Sequence, residues 1–197
     1  MPRKILSIIK FVFVLLLAPI IIAVTKGIFI EMQVLNELRY IFLMGAVTYC
    51  GLNLFYYPLE GLFQFGQRVF SDIFRFSPTA AAIIPMIIPV YATLLLLIHY
   101  IVMSVFHYEG LQNYFIFFIG FTFSMHVAMI AYDIFDEDNG QIKANYLFYM
   151  SLTYICNIAL LTILLDFNFS SVKFMSFFNS AYNHAEVIYL WAYRLMI

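Results

Sequence analysis

The sequence predicts an all-α integral membrane protein with about five transmembrane helices, an in-plane amphipathic helix and an aromatic C-terminal interfacial helix. Three observations lead there. Charged residues make up 11% of the 197-residue chain, against about 25% in a soluble domain, which leaves too little polar surface to cover a water-facing globule. Hydrophobic residues reach 64% and the mean hydropathy is +0.93, so most of the outer surface must meet lipid. The apolar residues also gather into long runs, and roughly 20 such residues cross about 30 Å of hydrocarbon as a helix.

Five runs meet that length: Ile5–Val24, Tyr40–Tyr57, Thr79–Phe106, Leu111–Phe135 and Tyr146–Leu165. The first follows Arg3 and Lys4 as a secretory signal would. It is long, lacks a small-x-small cleavage site and ends at Lys26, so it reads as an uncleaved span. Between the second and third runs, residues 61–77 place Gln64, Gln67, Arg68, Ser71, Asp72 and Arg75 at helical spacing, with Leu62, Phe65, Val69, Phe70, Ile73 and Phe76 on the other side. That pattern predicts a helix lying in the membrane interface. Asp72 is spaced to pair with Arg68 and Arg75, but exposed helical pairs contribute only about 0.3–0.5 kcal/mol.

The tail, residues 166–197, is rich in aromatics, including Phe177, Phe178, Tyr189, Trp191 and Tyr193, yet Asn179, Asn183, His184, Glu186 and Arg194 interrupt it. A sixth span would carry Glu186 deep into hydrocarbon, which is costly. An interfacial helix, or one docked on a partner, costs less. The whole chain, 1–197, then reads as one membrane domain.

With the N-terminus in the cytoplasm, Arg3, Lys4, Lys10, Arg68, Arg75 and Lys143 lie inside and Lys26, Arg39, Lys173 and Arg194 outside, six against four. This is a slight positive-inside excess. The net charge of −1, without a basic cluster, gives no electrostatic reason to expect a nucleic-acid partner. Cys50 and Cys156 fall within apolar runs and read as small buried residues.

Polar groups inside spans are costly and mark candidate sites. Tyr49, Asn53, Tyr56 and Glu60 share a helical stripe, as do Thr122, His126, Met129 and Asp133. So do Tyr146, Met150, Thr153 and Asn157, and so do Pro85, Pro89, Ala92, Leu96, His99 and Met103. Four helices turning these stripes inward would gather Glu60, His126, Asp133, Asn53 and Asn157 as a polar intramembrane site, with Glu60 and Asp133 near one end. Interhelical hydrogen bonds of this kind average about 0.6 kcal/mol and commonly serve packing. The acidic turn Asp136–Gly140 lacks the full calcium-loop spacing and reads as a solvated turn. No phosphate loop, nucleophile elbow or C-x-x-C is present. No metal site, cofactor or catalytic residue is expected.

Three stretches carry a family resemblance. They are Tyr56-Tyr57-Pro58-Leu59-Glu60-Gly61-Leu62-Phe63, then Pro85-Met86-Ile87-Ile88-Pro89-Val90-Tyr91, and then Gly120–His126 followed by Asp133, Tyr146-Leu147-Phe148 and Asn157. Over a little more than half the chain, their order resembles small bacterial membrane proteins related to the site-2-protease-type zinc metallopeptidases. Those enzymes place H-E-x-x-H where this chain has Leu59, Glu60, Gly61, Leu62 and Phe63. Two histidines hold zinc there and the glutamate activates water. Leucine and phenylalanine coordinate no metal, so the resemblance implies a pseudo-enzyme. The expected function is a non-catalytic subunit in a bacterial inner membrane. It would anchor other membrane proteins through Phe177, Phe178, Tyr189, Trp191 and Tyr193, with Arg68 and Arg75 as further contacts. The alternatives are a small transporter or channel component with an acid–histidine path through Glu60, His126 and Asp133, and, more weakly, a divergent metallopeptidase.

Overall fold

The structure, a computed structural model, describes residues 2–35, 37–55, 59–106, 109–137 and 143–196. Among them every regular element is a helix: α1 (Pro2–Gln33), α2 (Glu37–Phe55), α3 (Leu59–Ile73), α4 (Pro78–Ile87), α5 (Val90–Ile101), α6 (Gln112–Glu137), α7 (Ala144–Asn168) and α8 (Phe174–Met196). Within α1, α2, α6 and α7 lie stretches long and apolar enough to cross a membrane, and a fifth results if the bent pair α4–α5 counts as one. This is the helical content of a multi-pass membrane protein. Tyr56–Pro58 and most of the acidic turn (138–142) lie outside the described residues.

α6 is the hub, packed between α2, α5 and α7. Its contact with α2 is unusually close because each helix offers a glycine where the other presents backbone. A Cβ on Gly45 would stand 2.0 Å from the Phe117 carbonyl oxygen, and one on Gly120 would stand 2.1 Å from that of Phe42. Small residues let membrane helices approach backbone to backbone, where van der Waals packing replaces the missing hydrophobic drive. Rings close the seam on either side: Phe42 meets Phe123 at 6.4 Å, and Tyr49 meets Phe121 edge-on at 5.4 Å.

The run expected as a single helix over 79–106 is broken. Ser77 caps α4 by accepting from the Ala80 N–H at 3.4 Å, and Pro78 follows at the first helical position, where its missing N–H does no harm. Pro89 ends α4, because proline has no N–H to give the fourth preceding carbonyl and pushes the residue before it out of helical backbone. Ile88 is accordingly extended (ψ 115°), and the axis turns by 72° into α5. The last turns of this span, Val102–Phe106, widen to π-helix.

α3 matches the in-plane amphipathic helix in kind but has three faces. Phe63 and Gly66 are buried against α4, α5 and α6. Leu62, Phe65, Val69 and Ile73 form an exposed apolar face, while Arg68, Asp72 and Arg75 point to the polar side. Asp72 makes no ion pair with either arginine among the described residues. Gly66 is required because a Cβ there would lie 2.7 Å from the Tyr91 ring, whose hydroxyl donates to the Leu62 carbonyl.

The tail differs from expectation. α8 is not an isolated interfacial helix; it lies lengthwise and antiparallel along α1, with Phe177 against Gly27 and the Tyr189 hydroxyl donating to the Leu16 carbonyl. Phe177, expected at a partner interface, is 2% exposed and belongs to the core of this chain. Two carboxylates from other helices fix the start of α8. Glu31 of α1, buried, accepts from the Lys173 N–H at 3.3 Å, and Asp166 of α7 accepts from the Phe174 N–H at 3.0 Å. Carboxylates at a helix N-terminus satisfy orphan donors and complement the dipole.

Gly45→Ala should therefore separate α2 from α6 and cost at least about 2 kcal/mol, in the range of overpacked interiors. Gly51→Ala, on the same helix with nothing within 4 Å of its would-be Cβ, should be neutral or slightly stabilising. Thermal unfolding of the two variants in one mild detergent checks the contrast.

Candidate functional site

The break at Pro89 leaves two backbone oxygens in the helix interior without their helical donors. In an unbroken helix the Pro85 carbonyl would take the N–H of residue 89, and that of Met86 the N–H of residue 90. Proline removes the first donor and the bend removes the second. Side chains from three other helices replace them. Gln67 of α3 donates to the Pro85 oxygen at 2.9 Å, His126 of α6 donates its Nε2–H to the Met86 oxygen at 3.1 Å, and Asn157 of α7 reaches the same oxygen at 3.5 Å. Asn157 also donates to the Thr153 carbonyl at 2.9 Å, leaving its buried Oδ1 without a protein partner. His126 and Asn157 are almost wholly buried, and Phe63 lies against the His126 ring at 6.0 Å.

Glu60 and Asn53 lie elsewhere. With Tyr49, Ala128, Met129 and Tyr132 they line a cavity of about 110 Å³ between α2, α3 and α6. That is room for several waters, since one water needs about 10–15 Å³ measured this way. The Tyr49 hydroxyl, fully buried, has no protein partner. Gln64 donates to the Glu60 carboxylate at 2.8 Å, and Glu60 stands in the first turn of α3, where the helix dipole favours a negative charge. Asp133 was expected to share this pocket; its neighbour Tyr132 lines the cavity instead, and Asp133 is exposed. His126 faces the broken helix rather than the cavity. The five expected intramembrane residues thus divide into His126 with Asn157, Glu60 with Asn53, and Asp133 apart.

His99 serves a third contact. It is 1% exposed, stacked on Phe169 at 5.2 Å and edge-on to Phe115 at 5.4 Å. Its Nδ1 lies 2.9 Å from the Asn168 side-chain oxygen. The Asn168 amide nitrogen donates to Leu164, so its oxygen accepts and the imidazole proton sits on Nδ1. No group of three or more His, Cys, Asp or Glu side chains is placed to hold a metal ion among the described residues.

Two of these roles escaped the sequence. Gln67 reads there as part of the polar face of an interfacial helix, and the Met86 carbonyl carries no side-chain signal. The spacing of Pro85 and Pro89 was the available clue, because a proline four residues after any carbonyl leaves that carbonyl without its donor.

Gln67→Leu and His126→Phe should each destabilise the chain by about 1 kcal/mol, within the range for removing one partner of a buried polar pair. Glu60→Gln should change stability less, since its amide still accepts from Gln64. Chemical or thermal unfolding midpoints in detergent give the order.

The chain matches no family model, no curated protein and no solved structure, so the resemblance to site-2-protease-type proteins rests on the residues quoted for it alone.

Proposed function

We propose that this chain is a non-catalytic membrane subunit that holds another membrane protein through α8. The observation that carries the reading is the outer face of that helix. Asn179, Asn183 and Glu186, at i, i+4 and i+7, form one exposed polar stripe on a helix packed lengthwise against the apolar stretch of α1. Phe178, Tyr182, Trp191 and Tyr193 are exposed on the same helix. Polar side chains at membrane depth face protein or water rather than lipid, and none of these three has a hydrogen-bond or ion-pair partner among the described residues. A second protein supplies the missing surface.

Two further features support it. Where the resemblance puts a zinc-binding histidine, Phe63 is 3% exposed and packs against Ile130 and Ile134, as a core residue does. A transport path through Glu60, His126 and Asp133 would need the three on one polar route, and only Glu60 lines the cavity. The proposed setting is a bacterial inner membrane with the N-terminus in the cytoplasm. The antiparallel return of α8 brings Arg194 to the end of α1 where the chain begins, which moves one charge and turns six against four into seven against three.

Photo-crosslinking in native membranes tests the proposal. A crosslinkable residue at Asn183 should give one discrete adduct with another membrane protein, and the same residue at Val47, 70% exposed on α2, should give lipid adducts only. Lipid adducts from both positions would overturn the reading.

A further inference from the structure

A groove of about 740 Å³ runs between α1, α7 and α8. Aromatic side chains of α8, Phe178, Tyr182, Tyr189 and Tyr193, line it together with Ala159 of α7 and Ala185 of α8, and Glu186 lies on its wall. The depth of Glu186 follows from the two anchors of α8 on α1. Phe177 packs at Gly27 and Tyr189 reaches Leu16. Nine residues past Phe177, about 14 Å along the axis, Glu186 stands level with Ala18. That is the middle of the apolar stretch between Lys10 and Lys26, so the carboxylate sits near mid-depth.

Resting on the subunit reading above, we propose that this groove receives a transmembrane helix of a partner protein carrying a lysine or arginine at mid-depth, which pairs with Glu186. A carboxylate only accepts hydrogen bonds when charged, and an ammonium or guanidinium supplies both donors and the opposite charge. The rest of the lining is apolar and aromatic, which suits the apolar side chains of a transmembrane helix. An acyl chain would fill the apolar floor but leave Glu186, Asn179 and Asn183 without donors. A second copy brings no cation to this level. Lys10 is engaged by Asn145 at 2.6 Å, and Lys10, Lys26 and Arg194 each lie eight residues, about 12 Å, from mid-depth.

The test uses the full chain in phosphatidylcholine vesicles, with energy transfer to synthetic transmembrane peptides of about 21 residues. The peptides are leucine–alanine helices with lysine, leucine or glutamate at the centre. The lysine peptide should bind at least about tenfold more tightly than the leucine peptide. Glu186→Gln should abolish that preference, and Glu186→Lys should transfer it to the glutamate peptide. Ala185→Leu, at a partly exposed position on the groove, should weaken every peptide. Equal binding of lysine and leucine peptides, or a lysine preference that survives Glu186→Gln, overturns the charge pairing. So does chain–chain transfer without peptide that Glu186→Gln removes, which would mean a second copy occupies the groove. If the leucine and lysine peptides bind equally and Ala185→Leu weakens both, the pairing fails while the subunit reading stands. If no peptide binds and Asn183 gives no protein adduct, both fall.

Discussion

Inside a membrane a backbone carbonyl without a donor has no water to turn to, and this fold is organised around two such carbonyls. Pro89 leaves the oxygens of Pro85 and Met86 without their helical N–H partners. Gln67, His126 and Asn157 answer them from α3, α6 and α7. Broken helices are tolerated at membrane depth when neighbouring helices re-satisfy the freed groups. The break at Pro89 thereby ties α4 to α3, α6 and α7.

Once these donors are committed, the polar residues of the interior have less freedom to do chemistry. His126 cannot both donate its Nε2–H to Met86 and offer that nitrogen to a metal or a passing proton. Its burial beside Phe63 suits a packing role. Glu60 differs, because it lines a cavity large enough for water and keeps one carboxylate oxygen beyond the Gln64 contact. The interior therefore separates into a cluster around the Pro89 break and a small cavity beside Glu60.

The outer surface divides in a comparable way. α2 and α5 present leucine, valine and aromatic side chains to their surroundings, as a lipid-facing helix should. α8 presents asparagine and glutamate beside an apolar, largely aromatic groove. An inner aromatic face, buried through Phe177 and Ala181 and anchored by Glu31 and Asp166, holds α8 to the bundle. The polar stripe of Asn179, Asn183 and Glu186 is exposed on the side away from that contact.

Much of the architecture was legible in the residues alone. Composition and run length determine an all-helical chain with several apolar helices, because hydrocarbon admits few other backbones and a crossing needs a certain length. Periodicity separates the amphipathic α3 from the spanning runs, and the Pro85–Pro89 spacing marks where one run is interrupted. Tertiary structure alone decided the rest. The bend at Pro89 depends on three distant side chains being available to pay for it. The closeness of α2 and α6 depends on Gly45 and Gly120 falling opposite backbone in the other helix. The tail reads as interfacial because Glu186 is expensive in lipid, yet α1 offers its other face a full-length packing surface. Which stripe meets which is a property of helix rotation and register. Those are set by contacts between residues far apart in the chain, which periodicity within one helix does not encode.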